Sequence, residues 1–328
     1  MVCVLPKDKE QIIYMQVIKY TEDVPPEFKG GFITIGNFDG VHLGHRHIFE
    51  RLIQDARAAG RKALLITFDP HPKMVMHPER KPFYLLTTLE EKLRLLAELG
   101  LDAVILIPFT IPYAATTAEE FIRSFLWEKL GMRKIFIGHD YKFGRNQTGN
   151  KDLLAAWGQK LDFEVEVIPA FSREGIVISS TRIRKAILSG DVRQTALLLG
   201  RPYNVSGFVV EGKSRGSTLG FPTANVQPGK ELLPAKGVYA ALVNRQGQQY
   251  KAVLNIGLNP TFGDVGLSLE VHLLGFPPED IYGQSLDILF IERLRDERRF
   301  GSPEELVAQI QRDCSQAAAL LQHQSRQD

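Results

Sequence analysis

The chain of 328 residues is longer than one typical domain, and its length suggests about two domains. Hydrophobic residues make up 44% of the chain and charged residues 24%, proportions typical of globular proteins that fold in water. The formal net charge is only +2. It argues against a general nucleic-acid binder and against a membrane-surface binder, because both classes usually carry a strong basic excess.

The two cysteines, Cys3 and Cys314, lie near opposite ends of the chain and form no metal-ligand or redox spacing. The N-terminus carries charged residues where a signal peptide needs its apolar stretch, and no apolar run reaches membrane-spanning length. These features predict a soluble cytoplasmic protein without a membrane or nucleic-acid partner. They do not determine the oligomeric state, and a homo-oligomer is compatible with them.

The first half of the chain alternates apolar, strand-like segments with segments of helical spacing. The predicted strands are residues 32–35, 63–68, 103–109, 135–137 and 165–168. Thr88 with Glu91, and Thr117 with Glu120, resemble capping boxes at helix starts. Apolar strands that alternate with helices indicate a parallel sheet covered on both faces. We therefore predict a doubly wound, Rossmann-like α/β domain.

Near residue 190 the pattern changes to short strands separated by Gly, Pro and Asn. These strands are predicted at residues 205–210, 237–243, 252–256, 268–273 and 285–291, with no helical spacing between them. They are typical of an antiparallel barrel or sandwich, and we predict a β-barrel. The chain ends in a helix capped by Ser302, with Pro303 at its first position. The predicted domains are residues 1–188 and 189–328.

A glycine-rich turn follows the first predicted strand and begins a helix. Its candidate ligand-binding residues are Gly36, Asn37, Phe38, Gly40, His42, Gly44 and His45. Ligands of open α/β sheets bind at such junctions, where helix N-termini direct amide groups at anions. The glycines let the backbone approach a phosphate, and the two imidazoles can donate hydrogen bonds to its oxygens. The alternative is a pair of ordinary surface histidines. Three glycines at a strand–helix junction favour a nucleotide-phosphate site.

Three other loops follow predicted strands or begin helices at the same edge of the sheet. Phe68 and His71 suit a planar ring and its polar edge, and Asp140 can hold a polar group of a ligand. The last loop offers hydroxyls, amides and a guanidinium for phosphate, on Ser179, Ser180, Thr181 and Arg184. The alternative for that loop is a Ser/Thr helix cap beside a solvated arginine.

The second half contains its own chemical pattern. A glycine-rich loop with Lys213 and Arg215 can wrap a polyphosphate, or it is a flexible surface turn. Thr223 and Asn225 offer neutral oxygens to Mg²⁺, which nucleotide phosphates help to hold. Glu270 can accept the proton of an attacking alcohol. The alternative is that Glu270 and its strand neighbour two residues on simply face solvent.

These motifs resemble one known family. The segments GNFDGVHLGH, TFDPHP, GHDYKFG and ISSTRIR resemble the FMN adenylyltransferase half of bacterial bifunctional FAD synthetases. GFPTAN, the strand around Glu270 and residues 291–300 resemble the riboflavin kinase half. The resemblance implies that the second domain makes FMN from riboflavin and ATP. The first domain would then make FAD from FMN and ATP, with release of pyrophosphate and no covalent enzyme intermediate.

The resemblance also implies roles for individual residues. His42 and His45 would be catalytic in adenylyl transfer, and Glu270 would be the base for the riboflavin 5′-hydroxyl. In the first domain ATP would bind to the turn and to the residues from Ser179 to Arg184, and the flavin to Phe68, His71 and Asp140. In the second domain Thr223 and Asn225 would hold Mg²⁺. The residues expected to bind ATP or flavin there are Gly212, Lys213, Arg215, Gly220, Phe221, Pro222, Asn255 and Arg295.

One departure and two rival hypotheses remain. Gln147 stands where the family usually has a second basic residue, and Arg145 can substitute for it. A rival enzyme would be an adenylyltransferase for a pantetheine or nicotinamide nucleotide, which leaves the β-domain unexplained. A rival of another class is a catalytically silent protein that binds flavin or RNA.

Overall fold

The computed structural model describes residues 2–7, 11–20, 24–212, 219–258, 267–277 and 279–322. The chain forms two compact units, Met1–Ser180 and Thr181–Asp328. The boundary between them precedes the expected boundary after residue 188, so most of the helix at this point belongs to the second unit.

The first unit is built on a seven-stranded sheet in the order β1-β2-β5-β4-β3-β6-β7. The strands are β1 Val2–Lys7, β2 Gln11–Lys19, β3 Phe32–Ile35, β4 Ala63–Asp69, β5 Ala103–Pro108, β6 Lys134–Gly138 and β7 Glu164–Ile168. Strands β2 to β7 run parallel, and β1 pairs antiparallel with β2 at one edge. The strand order reverses at β3, and such a switch point is where α/β sheets bind ligands.

Helices cover both faces of this sheet. They are α1 Leu43–Ala58, α2 Pro72–Met76, α3 Leu89–Glu98, α4 Ile111–Ala114, α5 Ala118–Glu120 and α6 Lys151–Leu161. Helix α5 continues as a π-helix over Phe121–Lys129, and a small hairpin follows β7, with strands β8 Ser172–Arg173 and β9 Ile176–Val177. Alternate residues of β4 enter two separate apolar cores, Leu64 and Ile66 in one and Ala63 and Leu65 in the other. The doubly wound α/β prediction is confirmed.

The second unit is a closed antiparallel barrel in the order β10-β11-β14-β13-β12-β15. Its strands are β10 Tyr203–Val210, β11 Ala224–Pro228, β12 Gly237–Arg245, β13 Gln248–Leu258, β14 Leu267–Leu273 and β15 Ser285–Arg295. Its helices are α7 Ser180–Leu188, whose first residue ends the first unit, α8 Val192–Leu199 and α9 Pro303–Leu321. Ala317 and Leu321 of α9 pack on Val238, Ala240 and Val253 of the barrel. The predicted barrel with a terminal helix is confirmed.

Of the strands in the described part of the chain, five were not predicted from the sequence. Strands β1 and β2 precede the first predicted strand, β8 and β9 form the small hairpin after β7, and β11 begins at the end of the segment predicted as a binding loop. Elsewhere the predicted strands agree with the observed strands to within a few residues at each end. The capping box of Thr88 and Glu91 is present at the start of α3, with both reciprocal hydrogen bonds.

Candidate active sites

The turn between β3 and α1 requires glycine at two positions. Gly40 has a φ of +88°, and a Cβ atom there would lie 2.6 Å from Cδ1 of Leu86. A Cβ atom on Gly36 would lie 2.9 Å from the ring of Phe38. That ring is buried and packs edge-on against Phe49, at 4.8 Å between centroids. The backbone of the turn therefore passes close to the Phe38 ring at Gly36 and close to the Leu86 side chain at Gly40.

Asp39 fastens this turn to the segment that precedes α3. Its buried carboxylate accepts hydrogen bonds from the amides of Leu86, at 3.0 Å, and Thr87, at 3.3 Å. The amide of Gly40 donates to Oγ1 of Thr87 at 3.1 Å. The hydroxyl of Ser180 donates to the carbonyl of Asp39 at 3.1 Å. Ser180, a candidate from a distant loop, is thus in contact with the turn.

His42 and His45 stack on each other at the start of α1, with ring centroids 3.5 Å apart and planes 19° from parallel. His42 is the N-cap of α1, and its Nδ1 accepts a hydrogen bond from the amide of His45 at 3.3 Å. Because Nδ1 acts as an acceptor, the neutral ring carries its proton on Nε2. A Cβ atom on Gly44 would lie 3.3 Å from the ring of His42, so this glycine leaves room for the imidazole.

The environment of His45 favours a neutral ring. Burial of the ring lowers the pKa of His45 well below its ordinary value, and the neighbouring His42 and the Lys92 ammonium lower it further. Part of the residue is exposed, but its Nδ1 atom is buried and has no hydrogen-bond partner in the described part of the chain. Near neutral pH this side chain is therefore an uncharged imidazole.

The candidates at the end of β4 and in the loops after β4 and β6 lie at the same edge of the sheet as the turn, because both strands pair with β3. Phe68 contacts Phe109 edge-on, at 5.7 Å between ring centroids. His71 is buried and caps α2, with its Nδ1 accepting from the amide of Lys73 at 3.1 Å. Asp140 is exposed. Their roles as flavin ligands stay predictions.

The remaining candidates of the first site lie around the start of α7. Ser179 directly precedes this helix. Thr181 is exposed and Arg184 is half-buried, and both belong to the second unit. Their assignment to ATP stays a prediction. The same holds for Gln147, which is exposed in the short helix Arg145–Gln147.

In the barrel, five residues on neighbouring strands form one register row. Asn225 pairs with Glu270, Glu270 with Asn255, Asn255 with Val238, and Val238 with Arg295. Directly opposite residues have Cβ atoms about 5 Å apart and project from the same face of a sheet. The row therefore places Glu270 between two asparagines on the same face of the barrel wall. We call Asn225, Glu270 and Asn255 the carboxylate–amide row.

The segment that leads into this row is anchored by a histidine. Nδ1 of His272 lies 2.8 Å from the carbonyl oxygen of Pro222, and its ring contacts Phe221 edge-on at 5.6 Å. His272 therefore holds the stretch that continues through Thr223 to Asn225. The sequence placed His272 on the same strand face as Glu270 but gave it no role.

Gly212 and Gly220 flank the part of the loop that lies outside the described residues. A Cβ atom on Gly212 would overlap the side chain of Asn225, so glycine is required there. Gly220 has a φ of +85°. Lys213 and Arg215, the two basic candidates of this loop, are outside the described residues.

Arg295 directs its guanidinium at the terminal helix. Its Nη2 and Nε lie 2.8 and 3.0 Å from Oδ2 of Asp313, a residue of α9 that is 3% exposed. Its Nη1 donates to the carbonyl of Asp296 at 3.0 Å. Arg295 thus shares a register row with Glu270 and is held by Asp313. Its role towards a ligand stays a prediction.

The neutral oxygens beside Glu270 are of a kind that a divalent metal ion accepts when a nucleotide helps to bind it, and their assignment to Mg²⁺ stays a prediction. Mg²⁺ in such sites takes one or two protein oxygens, and phosphates and water complete the shell. Thr223 and Asn225 supply neutral side-chain oxygens at the start of β11, next to the Glu270 carboxylate. Among the described residues, no group of three His, Cys, Asp or Glu side chains could hold a metal by itself.

Comparisons with known proteins match each of the two units to a family. The family model described as FAD synthetase matches residues 24–182, and the model described as riboflavin kinase matches residues 199–321. The bifunctional riboflavin kinase/FMN adenylyltransferase of Escherichia coli K12 is 39% identical over 87% of this chain and 91% of its own length. The protein of the same name from Pseudomonas fluorescens is 36% identical over 93% and 98%, respectively.

A solved structure supports the fold over almost the whole chain. The crystal structure titled macrolide-efflux protein from Streptococcus pneumoniae matches with a TM-score of 0.84 and 32% identity, over 92% of this chain and 98% of that one. Among the residues described for our chain, no helix combines the length and the apolar character that a membrane crossing requires. The two family matches and the full-length relatives establish that this chain belongs to the family of bifunctional riboflavin kinases/FMN adenylyltransferases.

Proposed function

We propose that this protein makes FAD from riboflavin in two ATP-dependent reactions. The riboflavin kinase of the second unit forms FMN, and the FMN adenylyltransferase of the first unit joins FMN to the adenylyl group of ATP and releases pyrophosphate. Membership of the family supports both activities. The observation that carries the proposal is that each unit contains its own cluster of candidate residues, the stacked histidines in one and the carboxylate–amide row in the other.

In adenylyl transfer, a phosphate oxygen of FMN attacks the α-phosphorus of ATP. The acceptor is already a nucleophile, so the protein has to position the reactants and stabilise the charge that develops. The glycine turn presents amides, and His42 presents an Nε2 proton because its Nδ1 is used as an acceptor. A neutral His45 beside it can donate to the same group of oxygens. Ser180, held on Asp39, supports the proposed contribution of the Ser179–Arg184 segment.

The flavin of this first reaction is proposed to contact Phe68, His71 and Asp140. The support is their position, at or just after the carboxyl ends of the two strands that flank β3, at the edge where the turn lies. An aromatic ring, an imidazole and a carboxylate suit the apolar ring system and the polar groups of a flavin.

In the kinase reaction, Glu270 is proposed to accept the proton of the riboflavin 5′-hydroxyl as that oxygen attacks the γ-phosphorus of ATP. Asn225 and Asn255 are the register partners of Glu270 on the two neighbouring strands, and their side-chain amides are proposed to position the carboxylate. Thr223 and Asn225 would hold Mg²⁺, which when bound neutralises phosphate charge. Gly212, Gly220, Phe221 and Pro222 shape the loop beside these residues, and Lys213 and Arg215 are proposed to contact phosphate.

The rival adenylyltransferase for another nucleotide is disfavoured, because the second unit matches the riboflavin kinase model. The catalytically silent binder is separated from the proposal by experiment. A cytoplasmic location and a homo-oligomeric state remain predictions from the sequence.

The test is an incubation with riboflavin, ATP and Mg²⁺, followed by chromatography of the flavins. The proposal expects FMN and then FAD. Glu270→Ala should form no FMN from riboflavin and should still convert supplied FMN to FAD. His45→Ala should accumulate FMN. Flavin binding without either product in the wild type would contradict the proposal. So would a Glu270→Ala variant that cannot convert supplied FMN to FAD, or a His45→Ala variant that forms no FMN from riboflavin. Replacing Mg²⁺ with other divalent ions in the two half-reactions identifies the metal that each site uses.

A further inference from the structure

Lys92 is a buried cation that neither reaction described above uses. It lies in the first turn of α3, directly after the capping box, and only 7% of its surface is exposed. Lysine is seldom buried unless its ammonium has partners, because removing the charge from water is costly. The contacts of this ammonium therefore indicate why the protein retains a lysine here.

The ammonium of Lys92 binds the glycine turn from within the fold. Its Nζ donates to the carbonyl of Asn37 at 3.1 Å and lies 3.5 Å from Oγ1 of Thr67. Oγ1 of Thr67 itself donates to the same carbonyl at 3.2 Å. The carbonyl of Asn37 thus receives two hydrogen bonds, one from α3 and one from β4. Asn37 is the second residue of the turn, so its peptide orientation is fixed by these two donors.

The charge of Lys92 belongs to the electrostatic environment of the histidines. Burial lowers the pKa of Lys92, and the carboxylates of Asp39 and Asp69 oppose this and favour the ammonium form. The same ammonium is one of the groups that keep His45 neutral. A cation already fixed in a buried site stabilises developing negative charge without having to reorganise during the reaction.

We infer that Lys92 is a positioning residue for adenylyl transfer, which orients the Asn37 peptide of the phosphate-binding turn and supplies a fixed positive charge beneath it. The inference rests on the proposed function of the first unit. The side chain acts through the turn: it orders the amides that meet the nucleotide phosphates. Its charge favours the transition state, in which negative charge accumulates on the α-phosphate of the transferred adenylyl group and on the departing pyrophosphate.

The experiment compares Lys92→Met, Lys92→Gln and Lys92→Arg with the wild-type full-length chain, each supplied with FMN, ATP and Mg²⁺. Methionine keeps the length and removes the charge, whereas glutamine keeps a hydrogen-bond donor without the charge. For both we expect kcat of FAD formation to fall at least about tenfold, with a much smaller change in KM for FMN. Lys92→Arg keeps the charge and should retain more activity than either.

Two controls separate this result from a loss of structure. Lys129→Met removes another lysine-to-carbonyl hydrogen bond, from Lys129 Nζ to the Tyr20 carbonyl at 2.8 Å, and should leave FAD formation close to the wild-type rate. Both tryptophans, Trp127 and Trp157, belong to the first unit, so tryptophan fluorescence reports whether that unit is folded. The riboflavin kinase rate of the same chain reports on the second unit.

The possible outcomes are distinct. A wild-type chain that forms no FAD from FMN overturns the proposed function. A wild-type chain that forms FAD, together with folded Lys92→Gln at the same kcat, overturns the inference about Lys92. Equal losses in folded Lys92→Gln and Lys92→Arg also overturn it, because they show that the charge is not what matters. If Lys92→Met does not fold, the comparison of glutamine with arginine still decides.

Discussion

A Cβ atom on Gly212 would lie 1.8 Å from the side-chain nitrogen of Asn225, so the backbone after β10 rests directly on this side chain. Gly212→Ala therefore has to displace either the loop or Asn225, the neighbour of Glu270 in the carboxylate–amide row. We expect the rate of FMN formation from riboflavin to fall by about tenfold or more. FAD formation from supplied FMN should be retained.

A matched control for this substitution is Gly301→Ala in the same unit. There the nearest atom to the added Cβ is the end of the flexible Glu305 side chain, at 3.4 Å. This variant should phosphorylate riboflavin at the wild-type rate. Wild-type kinase activity in Gly212→Ala would contradict the proposed contribution of Asn225 to that site.

Gly44→Ala should separate stability from adenylyl transfer. Alanine favours a helix over glycine by up to about 1 kcal/mol, so the urea midpoint of tryptophan fluorescence should be unchanged or higher. The added Cβ atom, however, would lie 3.3 Å from two ring atoms of His42 and would push the imidazole away. We expect FAD formation to fall about tenfold, with the kinase rate of the same chain unchanged. A wild-type rate of FAD formation would show that the position of the His42 ring is not critical.

The lowered pKa of His45 predicts acid sensitivity of the first unit. Below about pH 6.5 the unfolded chain binds a proton at this histidine that the folded chain resists. Because the unfolded state then binds more protons, the contribution of neutral His45 to the free energy of unfolding is fully present above this pH. It decreases as the pH falls, by up to about 1.4 kcal/mol per pH unit. The urea midpoint of tryptophan fluorescence, measured at pH 7.5 and 5.5, should therefore fall more in the wild type than in His45→Gln.

The control for this measurement is His139→Gln, which changes an exposed histidine of the same unit. It should reproduce the acid sensitivity of the wild type. Equal acid sensitivity in the wild type and in His45→Gln would contradict the buried, neutral state of His45.

Much of the fold could be predicted because its signals are local. Apolar runs and capping residues lie within a few positions of the strands and helices that they define, as with Thr88 and Glu91 at the start of α3. Strand β11 lacked such a signal: it contains Asn225 and Pro228, residues that are uncommon in strands. It forms because β10 and β14 pair with it on both sides. Strand β2 likewise depends on pairing with β5, far away in the chain.

The residues of the candidate sites likewise divide into those with a local sequence signal and those whose contacts are distant in the chain. The spacing of His42, Gly44 and His45 is visible in one short segment, and the structure brings the rings of His42 and His45 together, in a stacked arrangement that the spacing alone did not predict. No local pattern in the sequence indicates a role for Lys92, because it is one charged residue among several at the start of α3. Its hydrogen-bond partner Asn37 is distant in sequence. His272 was equally hidden, since its contact with Pro222 exists only in the closed barrel.

The carboxylate–amide row has a consequence for the newly synthesised chain. Asn225 meets Glu270 only when β11 pairs with β14, although β12 and β13 lie between them in the chain. Such non-local pairing carries a loop-closure cost and forms slowly compared with hairpins and helices. A ribosome-bound chain that ends before β14 has neither the carboxylate nor its alignment. With Glu270 in its proposed role, riboflavin phosphorylation has to wait until synthesis has passed β14 and the strands on either side of it have come together.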